Sequence, residues 1–200
     1  LASDMAKKSF NAIPFNDLQI ITNGEDNVKN YDGSTLSDIT DAQKSPYVAT
    51  AYHRVFLVEK PHLLRVSDVA DPEEWSDGDS ASLPINDKDG DEITWVRLYQ
   101  TNVYIWKRYG LFELHGPEVG HVTTDWQVVN VAPVGTPNGR TIAEVGGVLY
   151  WLSDAEDAKG VVAWSGGRPQ LISEPIEEVI GRIDFTNIEK ACATTDGRGS

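Results

Sequence analysis

The stretch Gly-Gly-Val-Leu-Tyr-Trp-Leu-Ser at 146–153 places two turn residues directly before an unbroken run of apolar residues. Paired glycines favour a tight two-residue hairpin, because they adopt the positive φ angles that such a turn requires. The Val, Tyr and Trp side chains that follow are typical of β-strands. A strand that is apolar at successive positions is buried on both faces. We therefore predict a hairpin whose second strand is buried on both sides.

The same arrangement occurs three times earlier in the chain, at residues 16–21, 53–58 and 101–106. The first apolar residues of the four runs mark the repeat: Leu18, Val55, Val103 and Val148. These markers lie 37, 48 and 45 residues apart. A loose period of this size, built from short strands, is typical of propeller blades, whereas a two-sheet sandwich shows cleaner alternation. The sequence therefore predicts an all-β chain with a propeller-like array of about four antiparallel blades.

The predicted organisation is a flexible lead-in at 1–9 and a single domain at 10–200. Its repeats span 10–44, 45–90, 91–138 and 139–180, and a fifth begins within 181–200. Ala191-Cys192-Ala193-Thr194 is predicted as the first strand of that fifth unit. One helical turn is expected at 174–180, with Ser173 as its N-cap. Two interpretations follow for the whole: a piece of a longer propeller, or a four-bladed ring closed by its N-terminal segment.

Composition limits the function classes. The formal net charge is −14, from 31 acidic and 17 basic residues, so the chain is expected to repel nucleic acid and anionic lipid. No apolar run approaches the ~20 residues that cross a bilayer, and the first residues lack the pattern of a signal peptide. With one cysteine no internal disulfide can form, which is compatible with assembly in a reducing cytoplasm.

The acidic loop at residues 86–92 is the sharpest candidate site. Asp87, Asp89 and Asp91 stand at alternate positions, and such carboxylates can converge on Ca²⁺. The loop lacks the EF-hand pattern, since no Glu stands at the twelfth position. The competing interpretation is a solvated turn before the next strand. No other cofactor is expected.

Other reactive residues give no catalytic pattern. The four histidines, His53, His62, His115 and His121, show no metal-ligand spacing and are interpreted as turn or surface residues. Cys192 lies in an apolar segment and is expected to be a buried, inert thiol. No Gly-x-Ser-x-Gly elbow occurs. The sequence predicts no catalytic residues and no enzyme.

Six tryptophans supply large apolar side chains. Four lie in predicted strands and are expected to pack between blades. Trp75 and Trp126 lie at loop ends, where they either cap the blades or stack on a sugar. The second reading belongs to an alternative function, a carbohydrate-binding or carbohydrate-cleaving propeller, which needs exposed aromatic rings and two carboxylates about 5–9 Å apart.

An ordered series of turn motifs runs through the chain. The motifs are NG at 23–24 with YDG at 31–33, RVSD at 65–68 with DPEEW at 71–75, DGDEIT at 89–94, LFELHG at 111–116, and VGGVL at 145–149 with WSGGRPQLISEPI at 164–176. In this order they resemble the β-propeller-like structural proteins of tailed bacteriophages, found in the head–tail connector and the tail.

The resemblance implies a virion protein, assembled in the host cytoplasm, without catalytic residues. It implies that neighbouring phage structural proteins are its partners and that it forms a homo-oligomer around the virion axis, with no specific nucleic-acid or membrane binding. A cellular scaffold propeller is a third interpretation.

Overall fold

Four antiparallel sheets follow one another along the chain in the computed structural model, which describes residues 9–116 and 125–196. We call them blades 1 to 4 in chain order. In every blade the four strands are adjacent in the order in which the sequence supplies them. The chain thus has a propeller-like, all-β fold, as the sequence predicts.

The sixteen strands of the described residues are numbered in chain order. Blade 1 contains β1 Asn11–Phe15, β2 Leu18–Thr22, β3 Lys29–Tyr31 and β4 Leu36–Asp38. Blade 2 contains β5 Val48–Ala51, β6 Arg54–Glu59, β7 Leu63–Val66 and β8 Ala81–Pro84. Blade 3 contains β9 Ile93–Tyr99, β10 Asn102–Lys107, β11 Leu111–His115 and β12 Gln127–Ala132. Blade 4 contains β13 Ala143–Val145, β14 Val148–Ser153, β15 Gly160–Trp164 and β16 Gln170–Leu171. Each blade lies inside one of the four ranges given for the repeats.

The first hairpin of every blade closes over a two-residue turn, and this fixes which residues are equivalent. The second strands begin at Leu18, Arg54, Asn102 and Val148, each paired with the last residue of the strand before it. The predicted markers Leu18 and Val148 are correct. Val55 and Val103 are each one residue too late, because Arg54 and Asn102 are polar yet belong to the strands. The turn residues before them, Tyr52, His53 and Gln100, have positive φ angles.

Side chains of the second strands alternate between the two neighbouring blades. We number the positions of these strands from their first residue. Odd positions of one blade contact even positions of the next in three core clusters: Ile20 with Val55 and Leu57, Phe56 and Val58 with Val103 and Ile105, and Tyr104 and Trp106 with Leu149 and Trp151. The same odd-against-even packing therefore occurs between blades 1 and 2, 2 and 3, and 3 and 4.

The two end blades are covered on one face only. In β6 and β10 nearly every residue is buried, whereas β14 alternates between half-buried and buried residues and β2 has exposed Gln19 and half-buried Ile21 on its outward side. Within residues 9–116 and 125–196, no core cluster joins blade 4 to blade 1. Among these residues the two end blades are therefore not joined, and a ring closed by the N-terminal segment stays a prediction. Residues 1–8, part of the predicted lead-in, lie outside the described residues.

The segment after blade 4 differs from the prediction of a fifth unit. Short helical turns occupy Glu174–Ile176, Glu177–Ile180 and Phe185–Lys190, and residues 191–196 form no strand. The reason is that Ala193 N–H donates to the carbonyl of Arg140, and Asn138 holds the carbonyls of Ile188 and Ala191, so no ladder forms.

Ser173 precedes the predicted helical turn but does not cap it. Its hydroxyl accepts a hydrogen bond from the backbone N–H of Val161 at 3.0 Å. The side chain is buried and ties the end of blade 4 to β15. Among the described residues, no helix has both the length and the apolar character needed to span a membrane.

Candidate functional site

The acidic loop at residues 86–92 surrounds a cation that the protein itself supplies. Lys107 ends β10, and its side chain is fully buried. Its ammonium donates to Asp89 Oδ1 at 2.7 Å and to the carbonyls of Asn86 and Asp91 at 3.0 and 3.3 Å. Of the three carboxylates that the sequence assigns to a candidate Ca²⁺ site, that of Asp89 is therefore paired with an internal ammonium group.

The three candidate carboxylates do not converge. Asp89 is paired with Lys107, while the Asp91 carboxylate accepts the backbone N–H groups of Arg108 and Tyr109 at 3.3 and 2.8 Å. Asp87 is exposed. In the described part of the chain, no group of three or more His, Cys, Asp or Glu side chains is placed to hold a metal ion.

The environment of Asp89 favours its charged form. Partial burial opposes ionisation, but the hydrogen bond from Lys107, the backbone N–H of Asp91 and the charge of Lys107 outweigh it, so the pKa of Asp89 lies below its ordinary value of 3.8. The loop is thus held by a charge-assisted hydrogen bond between a buried ammonium and a carboxylate.

A second acidic loop is built in the same way at the opposite rim of the blades. Arg54 opens β6 and is fully buried. Its guanidinium donates to the carbonyls of Ser67 and Asp79, both at 2.9 Å, and lies 5.7 Å from the centre of the Trp126 ring. Burial lowers the pKa of Arg54, and the carboxylates of Asp79 and Asp68 oppose that shift. Arg54 therefore organises the long connection between β7 and β8.

Neither cation was predicted as a functional or structural centre. The sequence signal for each is a long cationic residue at one end of an otherwise apolar strand. If such a strand is buried, the charge requires a partner. The partners lie 18 residues before Lys107 and 25 residues after Arg54, and only the fold brings them together.

A small polar network lies at the rim between blades 3 and 4. Glu113 accepts from Asn102 Nδ2, and His115 Nε2 lies 3.1 Å from Glu113 Oε2. Burial and the neighbouring Glu113 carboxylate raise the pKa of Tyr104. His115 stands at an exposed strand end, and its contact with Glu113 points to no defined reaction.

The remaining predicted residues are distributed over separate places. His53 lies in the turn before β6 and His62 in the turn between β6 and β7. His121 lies outside the described residues. Cys192 is exposed in an irregular segment, so the expectation of a buried thiol in a strand is wrong. The cause is the missing ladder partner for residues 191–196.

Trp75 and Trp126 are packing residues. Trp75 is 3% exposed, and its Nε1–H donates to the carbonyl of Pro72 at 2.8 Å. Trp126 is 6% exposed and stacks on Phe56 with ring centres 6.0 Å apart. Neither ring is available to a sugar, so the alternative carbohydrate function loses the two aromatic residues on which it depended.

The outward side of blade 4, which we call the blade-4 face, is an apolar surface that no further blade covers among the described residues. Its residues are Ala143, Val145, Val148, Tyr150, Leu152, Val161 and Ala163, placed on one side by the strand register. Val145 is the most exposed of them at 37%, and the others are half-buried. None carries a charge, and the polar Gln170 stands only at its outer edge.

The outward side of blade 1, the blade-1 face, has a different composition. Its residues are Ala12, Pro14, Gln19, Ile21, Lys29, Tyr31, Leu36 and Asp38. Lys29 and Asp38 form an ion pair across β3 and β4. On this face, β1 and β2 thus carry small and apolar residues with one amide, and the charges are confined to β3 and β4.

Comparison with known proteins supports the fold alone. No protein-family model matches the chain, and no curated protein matches it. Among solved structures, the chain is similar to YCF48 bound to D1 peptide, a propeller, with a TM-score of 0.52 at 8% sequence identity. The match covers 85% of this chain and 58% of the YCF48 chain, so this chain spans little more than half of that propeller's length.

Proposed function

We propose that this chain is a structural protein that acts through protein–protein contacts, and that its setting is the virion of a tailed phage, in the head–tail connector or the tail. The observation that carries the proposal is the uncovered apolar blade-4 face. The phage setting rests on the ordered turn motifs of the sequence.

The blade-4 face is one half of a contact that the chain makes three times internally. Its residues Val148, Tyr150 and Leu152 occupy odd positions of β14. In blades 1 to 3 the equivalent odd positions are covered by the next blade. Burying one such large apolar side chain stabilises a contact by about 1.5–3 kcal/mol. A contiguous face of this kind marks a site of protein association.

The charge of the chain favours a protein partner. A net charge of −14 opposes association with polyanions such as DNA, and it leaves uncharged surfaces as the places where close contact is least opposed. The blade-4 face is such a surface. The proposed role requires no catalytic group.

Particle incorporation tests the proposed function. Tailed-phage particles would be purified from cells carrying the gene, and the copy number of this chain measured by quantitative mass spectrometry. We expect stoichiometric incorporation of the wild type and of Val129→Asp, an exposed position on β12. Leu152→Asp places a charge on the blade-4 face, and we expect it to be excluded. Absence of the wild-type chain from particles would contradict the phage setting, and normal incorporation of Leu152→Asp would contradict the role of this face.

A further inference from the structure

We infer that the blade-4 face binds the blade-1 face of a second copy of this chain, so that two copies join head to tail. The inference rests on the proposed function, since it names the partner of the same face.

The alternation of the second strands leads to this partner. Odd positions face the following blade and even positions face the preceding one at all three internal contacts. The array therefore leaves one odd face, on blade 4, and one even face, on blade 1. These are the two halves of a fourth contact of the same kind. A head-to-tail contact made of unlike halves closes into a ring when its rotation completes a circle.

The polar groups of the two faces are complementary. Gln19 stands at position 2 of β2, which is the position that Leu149 occupies in β14. Tyr150 stands at position 3 of β14, which is the position that Tyr104 occupies in β10. Leu149 and Tyr104 belong to the same core cluster. By equivalence, Gln19 of one copy lies against Tyr150 of the other, where the amide and the hydroxyl form a hydrogen bond.

The apolar parts of the faces also match. Ile21 takes the place of Leu57, Ile105 and Trp151 at position 4. Ala12 and Pro14 leave room on β1 for the larger Tyr150 and Leu152. The ion pair of Lys29 and Asp38 lies on the outer strands, where the rim of an interface is polar and hydrated.

Sedimentation velocity over a concentration series is the test. We expect the wild type to associate into a species of twice 22.0 kDa. Leu152→Asp and Ile21→Asp each place a charge in the contact, and each should weaken association at least about tenfold, as the loss of one buried apolar contact implies. Val129→Asp is the matched control and should associate like the wild type. Circular dichroism would establish that each variant is folded.

Milder variants keep the test decisive if an aspartate variant fails to fold. Tyr150→Phe removes only the hydroxyl, and we expect it to weaken association about three- to tenfold, as one hydrogen bond does. In a Gln19→Leu background the same change should have little further effect.

Three outcomes would overturn the inference. A wild type that is monomeric at all concentrations excludes a second copy as the partner of the blade-4 face. The proposed function is then still tested separately, by the incorporation of Leu152→Asp into particles. A dimer disrupted by Leu152→Asp but not by Ile21→Asp shows that two blade-4 faces pack on each other. A dimer that neither variant disrupts shows that another surface joins the copies.

Discussion

Lys107 Nζ lies 2.7 Å from Asp89 Oδ1, and this contact joins the buried end of β10 to an exposed acidic loop. The ammonium also binds two carbonyl oxygens of the same loop. The loop therefore owes its conformation to a side chain from a strand that follows it in the sequence.

We expect Lys107→Met to destabilise the fold by about 2 kcal/mol, because it leaves two loop carbonyls and a carboxylate without their donor. Urea unfolding would measure the change. Lys88→Met, an exposed residue of the same loop, should stay within about 0.5 kcal/mol of the wild type. Equal stability of the two variants would show that the ammonium does not hold the loop.

The contribution of the Lys107–Asp89 pair should depend on pH. The pKa of Asp89 is lowered in the folded state from its ordinary value of 3.8, so the folded state favours the carboxylate. This stability is fully present above the ordinary pKa and is lost as the pH falls through the lower folded-state pKa. We expect the difference between wild type and Lys107→Met to be constant from neutral pH to about pH 5 and to shrink below 3.8. A difference that grows on acidification would be inconsistent with this pairing.

Calcium should not stabilise the wild type. The oxygen atoms of the acidic loop already bind an ammonium, and a divalent cation would have to displace it. Thermal unfolding with calcium and with a chelator should therefore give the same Tm. A rise in Tm that saturates with calcium would restore the Asp87, Asp89 and Asp91 site as a cation-binding loop.

Arg54 and Arg97 offer a comparison of a buried cation with a surface cation. Arg54 is fully buried and donates to two carbonyls, whereas Arg97 pairs with Glu144 at a surface where each side chain is about one third exposed. We expect Arg54→Met to cost about 2–4 kcal/mol and Arg97→Met less than about 1 kcal/mol. Chemical denaturation of both variants measures the difference in folding stability. A larger loss of stability for Arg97→Met than for Arg54→Met would contradict the stabilising role assigned to the buried Arg54.

The sequence predicts the blades because their signal is local. Two turn residues before an apolar run define each first hairpin, and all four hairpins form as predicted. The phase is missed in blades 2 and 3, where Arg54 and Asn102 look like turn residues. Their strand positions depend on partners far along the chain, Asp79 for Arg54 and Glu113 for Asn102.

The features missed at the candidate sites have the same physical origin. Alternate acids indicate a cation site, but the sequence does not show that Lys107 supplies the cation. An apolar Ala191–Thr194 segment suggests a strand, yet a strand requires a neighbouring edge, and residues 191–196 form none. The sequence signal for the blade-4 face is that the first five residues of β14 are all apolar, so both sides of that strand are apolar. In β2, by contrast, the even position 2 is the polar Gln19.

Association of two copies should strengthen with salt. Each copy carries a net charge of −14, so the two copies repel each other, and salt screens this repulsion while the contact itself is mainly apolar. We expect the Kd to fall between about 50 and 500 mM NaCl. A Kd that rises with salt would mean that ion pairs dominate the contact.

The most direct measurement of the head-to-tail contact is disulfide formation between copies. In a Cys192→Ser background, Gln19→Cys and Tyr150→Cys would be combined in one chain, oxidised mildly, and examined for covalent dimers by non-reducing electrophoresis. A disulfide requires Cβ atoms about 3.5–4.5 Å apart. We expect rapid cross-linking of the double variant and none with either cysteine alone. Cross-linking by Tyr150→Cys alone, or no cross-linking of the double variant, would contradict the packing of blade 4 on blade 1 of a second copy.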